Sequence, residues 1–194
     1  MFSHTAALQL KQSHFSKTAI AIRLPIYILL FLFANTLFAQ NDESDLPARA
    51  TEAKETLLGK DPGLVKFFSK SYGYALFPSI GKGGMGIGGA HGRGVVYQGG
   101  KITGQSVMTQ ATIGLQLGGQ SYIEALFFED KRAYENFIGG KFKLAAQASA
   151  VAVNEGASAD AGYNDGVAIF TATKGGLMFE ASVGGQKFTF KKPK

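Results

Sequence analysis

A glycine-rich run between residues 81 and 94 constrains the fold of this chain more than any other feature. The run reads GKGGMGIGGAHGRG, with eight glycines in fourteen positions, and it contains two overlapping G-x-G-x-x-G matches, Gly81-Gly83-Gly86 and Gly84-Gly86-Gly89. A dinucleotide-binding loop needs a strand before it, a helix after it and an acidic residue about twenty positions on. The run is followed instead by Val95-Val96-Tyr97 and a Gln98-Gly99-Gly100 turn. The sequence therefore predicts a bent β-segment that another backbone approaches closely.

The N-terminal residues have the pattern of an export signal. Residues 1–39 contain no acid, an apolar stretch from Leu24 to Phe38 follows three basic residues, and Ala39 offers a cleavage position. The apolar stretch is shorter than the roughly 20 residues that a membrane-spanning helix needs. We predict a signal peptide over 1–39, a polar linker over 40–45 and a single domain over 46–194, in a protein that is exported to the periplasm or cell envelope. A retained membrane anchor is the alternative.

The charge balance narrows the classes of partner. The whole chain has a net charge of +6, but three of its 20 basic residues and none of its 14 acidic residues precede residue 40, which leaves +3 for the rest. This mild excess suits attraction to an anionic membrane and is far from the balance of a nucleic-acid-binding protein. The chain has no cysteine, which excludes disulfides and thiolate chemistry.

Hydrophobic periodicity predicts helices first and strands afterwards. Leu46 to Leu58 has helical spacing and ends at Gly59, and Asp61-Pro62 begins a second helix that ends near Ser71. From Tyr72 onward the period is mostly two, with one helical interruption over Glu129 to Ile138. The predicted strands outside the glycine run are Tyr72 to Phe77 (ended by Pro78), Val107 to Gly118, Ser121 to Phe128, Lys141 to Asn154, Val167 to Lys174, Leu177 to Val183 and Gln186 to Lys191.

This order of elements predicts an α+β fold. We expect a strongly curved antiparallel sheet, or a barrel, of about eight strands joined by glycine turns, with two N-terminal helices and one helix inserted mid-sheet.

Few residues are suited to catalysis or metal binding. His91 is the one histidine after the signal segment, and no G-x-S-x-G motif is present. Asp160, Asn164 and Asp165 lack the spacing of a calcium loop, and Asn164-Asp165-Gly166 predicts a turn. We expect no catalytic residue, metal or cofactor, with an enzyme built on carboxylates as the open alternative.

Two groups of basic residues are candidate lipid contacts. His91 and Arg93 lie two apart and share a face if the run is extended, and with Lys82 they predict a small basic patch for a headgroup phosphate. Solvated surface residues are the alternative for this patch.

The second group lies on the second predicted helix. Lys66 and Lys70 are four apart beside Phe67 and Phe68, a pattern typical of a basic, aromatic helix that contacts membranes. Burial of the two phenylalanines in the core is the alternative.

Four consecutive segments carry a family resemblance. They are YGYALFPSIGKGGMGIGGAHGRGVVY, GGKITGQSVMTQATIGLQLGGQSYIEALFFED, AYENFIGGKFKLAAQASAVAV and GLMFEASVGGQKFTF. In this order they resemble the SYLF domain, a lipid-binding family that includes the actin-binding module of yeast SH3-containing endocytic proteins. The resemblance covers roughly Leu46 to Phe190.

The resemblance implies a non-enzymatic domain that binds anionic phospholipid, helped by an amphipathic N-terminal helix at Leu46 to Gly59. This sequence has an export signal, a modest charge and no SH3 or FYVE module. In these respects it resembles a bacterial, exported branch of the SYLF family. Actin is then an unlikely partner, and generic anionic lipid is the expectation. An outer-membrane β-barrel or a structural envelope protein is the alternative.

Overall fold

The structure is a computed structural model that describes residues 45–114, 120–142, 144, 150–174 and 184–193. The predicted signal peptide, nearly all of the predicted linker and the predicted strand from Leu177 to Val183 lie outside the described residues. So do parts of the predicted strands from Val107 to Gly118 and from Lys141 to Asn154. Residue contacts divide the chain into two units, Met1–Asp45 and Leu46–Lys194, and every element below belongs to the second except the first residue of α1.

The described elements confirm the α+β prediction. Helix α1 covers residues 45–60, and a 3-10 turn at Pro62–Leu64 leads into α2, Val65–Lys70. The strands are β1, Gly73–Gln98; β2, Lys101–Gly114; β3, Gln120–Phe128; β4, Val151–Ala152; β5, Val167–Thr173; and β6, Lys187–Lys191. Helix α3, Lys131–Ile138, lies between β3 and β4 in the sequence. The described strands form one sheet in the order β4-β5-β3-β1-β2-β6.

Strand β1 is longer than its sequence predicts. The prediction that a first strand ends at Pro78 is wrong, because β1 continues through the whole glycine-rich run to Gln98. Pro78 lies at a register shift between Phe77 and Ile80, where the ladder is interrupted and the missing N–H of proline costs no hydrogen bond. The first part of β1 pairs with β3 and the second part with β2, both antiparallel.

The sheet buries side chains on both faces. On the front face, α1 and α2 pack against alternate residues of β1, β3 and β5, including Leu76, Phe127 and Phe170. On the back face, α3 and β6 contribute to a second cluster that includes Phe77, Phe128 and Phe188. The strands buried on both faces read as nearly continuous apolar runs, as in Tyr122 to Phe128.

One predicted strand is only partly covered by the described residues. Of the predicted strand from Lys141 to Asn154, the described residues are paired only at Val151–Ala152. Phe142, Leu144 and Ala150 pack on the back cluster, and the next residue, Val151, packs on the front cluster, as neighbouring residues of a strand do. Because β4 pairs parallel to β5, the sheet is mixed and not antiparallel throughout.

Closure into a barrel is not observed within the described strands. β4 and β6 stand at the two ends of the strand order, and no pairing joins them. None of the helices in the described ranges is both long enough and apolar enough to cross a membrane.

Candidate functional site

Four basic side chains lie on one exposed part of the front face. In one cross-strand row, His91 on β1 lies beside Thr109 on β2, which lies beside Lys187 on β6. In a second row, two residues further along each strand from the row of Arg93's neighbours, the members are Val95, Gln105 and Lys191. Arg93 lies in the row between them. Adjacent strands are about 4.8 Å apart, so His91 and Lys187 stand about 10 Å from each other. We call the set His91, Arg93, Lys187 and Lys191, with the uncharged β2 residues Gln105, Val107 and Thr109 between them, the cationic sheet face.

Exposure increases along this face away from the helices. Val95 is fully buried in the cluster that contains α1, Arg93 is half-buried and His91 is exposed. Lys187 and Lys191 are exposed on β6. The Arg93 guanidinium donates from Nη2 to Oε1 of Gln105 at 3.3 Å, which holds the arginine along the sheet surface.

No acidic residue occurs on the strands that build the cationic sheet face. The sequence has no Asp or Glu from residue 62 to residue 123, or after Glu180. The strands β1, β2 and β6 therefore carry positive charges and no negative side chain of their own. A surface of this kind attracts anions over a distance of about one Debye length, roughly 8 to 10 Å at ordinary salt.

Sequence reasoning missed two members of this face. The signal was present in the segment Lys187–Lys191, KFTFK, where lysines and Thr189 alternate with two phenylalanines. Phe188 is buried in the back cluster, so the lysines must point to the front. The pairing of β6 with β2 places these lysines beside His91 and Arg93, and this pairing could not be predicted from the segment alone.

The predicted residues of α2 lie elsewhere. Phe67 packs on Phe127 and Phe170 of β3 and β5, with ring centroids 5.4 and 4.8 Å apart, which confirms the core alternative for that phenylalanine. Lys66 donates to the carbonyl oxygen of Ala159 at 3.4 Å, and Lys70 is exposed at the end of the helix. These two lysines belong to the β3–β5 side of the molecule, whereas the cationic sheet face belongs to the β1–β2–β6 side.

Lys82 lies on the other face of the sheet. Its register partner is Gln120, and it follows the buried Ile80 by two residues, so the two share the back face. The structure thus brings His91 and Arg93 together but separates Lys82 from them.

Helix α1 uses its apolar side for packing. Leu46, Ala50, Ala53 and Leu57 are all buried in the front cluster. Contact with a membrane through that side would require the helix to leave the sheet.

A buried polar cluster lies on the back face. Glu124 on β3 is fully buried and accepts a hydrogen bond at Oε2 from Nε2 of Gln186, at 2.9 Å. The same Nε2 lies 3.4 Å from the Tyr122 hydroxyl. Thr171 of β5 is the register partner of Glu124 and is also buried. Among the described residues, Glu124 Oε1, Gln186 Oε1 and Thr171 Oγ1 have no hydrogen-bond partner.

Burial dominates the protonation of this cluster. Removal from water raises the pKa of Glu124 to about 7, although the hydrogen bond from Gln186 favours the charged carboxylate. Burial, with the nearby charge of Glu124, also raises the pKa of Tyr122. No basic side chain in the described part of the chain counters this effect on Glu124.

The described residues hold no group of three or more His, Cys, Asp and Glu side chains placed to bind a metal ion. The described residues support electrostatic attraction at the cationic sheet face and proton binding at Glu124.

The chain is similar to a curated bacterial protein. The protein named Beta cell expansion factor A, from Aeromonas veronii, is 31% identical over 135 residues, which is 68% of this chain and 51% of that protein. The chain thus spans about half the length of the curated relative it matches. No protein-family model matches the chain, and the SYLF resemblance stays a prediction.

Proposed function

We propose that this chain is a non-enzymatic domain that binds anionic phospholipid surfaces through the cationic sheet face. The observation that carries the proposal is the placement of His91, Arg93, Lys187 and Lys191 on one exposed side of three paired strands that contain no acid. The sequence resemblance to a lipid-binding family points to the same class of partner.

A sheet surface suits a bilayer because it is broad and presents several charges at once. Each Lys or Arg near an anionic membrane contributes about 1 kcal/mol of attraction, so Arg93, Lys187 and Lys191 together supply about 3 kcal/mol. That corresponds to an affinity gain on the order of a hundredfold. Binding of this kind is reversible, weakens with salt and selects charge over headgroup structure.

The proposal includes the location implied by the N-terminal pattern. An exported protein in a bacterial envelope meets phospholipid surfaces and does not meet actin, and its charge balance does not suit nucleic acid. The partner is therefore the anionic bilayer itself.

Co-sedimentation of the full chain with vesicles tests the proposal. We expect pelleting with vesicles of phosphatidylglycerol mixed into phosphatidylcholine, little pelleting with phosphatidylcholine alone, and loss of the difference in high salt. Equal pelleting with both vesicle types, or none with either, contradicts the proposal.

A further inference from the structure

We propose that a proton on Glu124 controls the seating of β6 in the sheet, and through β6 the placement of Lys187 and Lys191 on the cationic sheet face. The switch itself is independent of lipid binding. Its consequence for membranes rests on the proposed function.

The first step is the connection between the carboxyl group and the strand. Gln186 donates to Glu124 at 2.9 Å and is the residue immediately before β6. This side chain contact therefore joins the central strand β3 to the start of β6, across a sequence separation of 62 residues.

The second step is the difference in how firmly the two strands are held. β3 pairs with β1 on one side and β5 on the other, whereas β6 has five residues and pairs with β2 as the last strand in the described order. A disturbance between Glu124 and Gln186 should move the five-residue strand β6 before it moves β3, which is longer and paired on both sides.

The third step is the state of the carboxyl group. Its described surroundings are uncharged: Phe77 and Thr171 are its register partners, and Tyr122 is the titratable neighbour, on its own strand. β1 places one charged side chain on the back face, Lys82. Its register partner, Gln120, is four residues from Glu124 along β3. α3 adds the phenol of Tyr134 to the same apolar cluster.

The neutral carboxyl group therefore fits the closed cluster, and the carboxylate needs water. Since the pKa of Glu124 is raised from 4.5 to about 7 by burial, the closed state keeps its proton in mildly acidic solution and loses it as the pH rises through about 7. Above that pH the ionised group draws water in, and the opening of β6 admits it. Lys187 and Lys191 then leave their register positions beside β2.

Hydrogen exchange at pH 6 and pH 8 tests the switch in the full chain. Proton linkage between a closed pKa of about 7 and an open pKa of 4.5 predicts that the β6 opening constant rises about tenfold over this range, after correction for intrinsic exchange. β3 amides serve as the internal reference, and this comparison needs no variant. A β6 opening constant that does not change with pH overturns the proposal.

The matched variant is Glu124→Gln, which keeps the shape and cannot ionise. We expect its β6 exchange to be the same at both pH values. Thr171→Val, a change beside the carboxyl group that leaves Glu124 in place, should keep the pH dependence. A pH-dependent β6 in Glu124→Gln also overturns the proposal.

Binding to phosphatidylglycerol vesicles separates this inference from the proposed function. Binding by the natural chain should fall more steeply from pH 6 to pH 8 than binding by Glu124→Gln. If no vesicle binds at either pH, the proposed function fails while the exchange result still decides the switch. If binding falls equally in both proteins, the membrane consequence of the switch fails.

Discussion

At the scale of single residues, glycine acts in this molecule by making room. A Cβ at Gly92 would come within 2.6 Å of the Ile80 side chain, and a Cβ at Gly94 would come within 2.7 Å of the Phe77 ring. All four positions belong to β1, so the strand curls until its two halves meet. The glycine-rich run therefore allows close approach of one part of a strand to another.

Substitution in this run should separate crowded from open positions. Gly94→Ala places a methyl group against Phe77 and should lower the free energy of unfolding by about 1 to 3 kcal/mol through overpacking. Gly81→Ala is the matched control, since nothing lies within 4 Å of its Cβ. Urea unfolding of the two variants measures the difference, and equal stabilities would show that the crowding is not real.

Asp61 is a second residue whose side chain stabilises the fold, through the hydrogen bonds that it accepts. It is buried, accepts from the backbone N–H of Gly63 at 2.9 Å, and accepts from the N–H of Ser158 at 2.6 Å. Asp61→Ala leaves these donors without partners, which should cost about 2 to 4 kcal/mol. Asp160→Ala, at an exposed position, is the control for loss of a carboxylate. If Asp61→Ala lowers the free energy of unfolding in chemical denaturation no more than Asp160→Ala does, this role is contradicted.

At the scale of elements, β6 depends on its phenylalanines. Phe188 is buried and packs on Phe77, Phe137 and Phe142 with centroid distances of 5.6, 5.3 and 5.8 Å. These contacts come from β1, from α3 and from the segment after α3. They fix the strand from the back while its lysines face the front.

Removal of this anchor should release the strand. Phe188→Ala should cost about 3 to 5 kcal/mol, as for other large-to-small changes of buried aromatics. β6 amides should lose more exchange protection than β3 amides. Thr189→Ala, exposed on the front, should leave both unchanged. Uniform loss of protection across the sheet would show that β6 does not open on its own.

Much of the element order could be predicted from the sequence because the signals are local. Asp61 accepts from Gly63 at the start of the 3-10 turn, and the Asn164-Asp165-Gly166 turn forms with positive φ at Asp165 and Gly166. The continuation of β1 through Pro78 and the parallel pairing of β4 with β5 depend on partners far away in sequence. The meeting of β6 lysines with His91 depends on strand order, which alternation does not encode.

At the scale of the whole molecule, two buried carboxyl groups act on stability in opposite directions. Burial acts to raise the pKa of Asp61, but hydrogen bonds from Ser158, Gly63 and Gly156 hold it below 3.8. Asp61 thus adds stability above pH 3.8, and this is lost as the pH falls through its folded pKa. Glu124 has the opposite sign, because its raised pKa favours the protonated folded state, and stability falls as the pH rises from 4.5 through about 7.

The stability of the whole chain should therefore be greatest near pH 5 and decline on both sides. The shift of Glu124 corresponds to a decline on the order of 3 kcal/mol toward alkaline pH. Denaturant titrations of the natural chain and of Glu124→Gln across pH 3 to 9 measure it, and the variant should lack the alkaline decline. An identical decline in both proteins would assign it to other groups.

The central claim is that lipid binding belongs to the cationic sheet face, and one comparison of vesicle binding tests it most directly. The double variant Lys187→Gln, Lys191→Gln removes two charges from that face, and Lys60→Gln, Lys174→Gln removes two from exposed positions outside it. Lys66→Gln, Lys70→Gln tests α2 in the same way. With phosphatidylglycerol vesicles, we expect the first variant to bind about thirtyfold more weakly than the natural chain, from about 1 kcal/mol per lysine. The other two double variants should bind the vesicles about as tightly as the natural chain does. An equal loss in all three variants, or no loss in the first, would contradict the account.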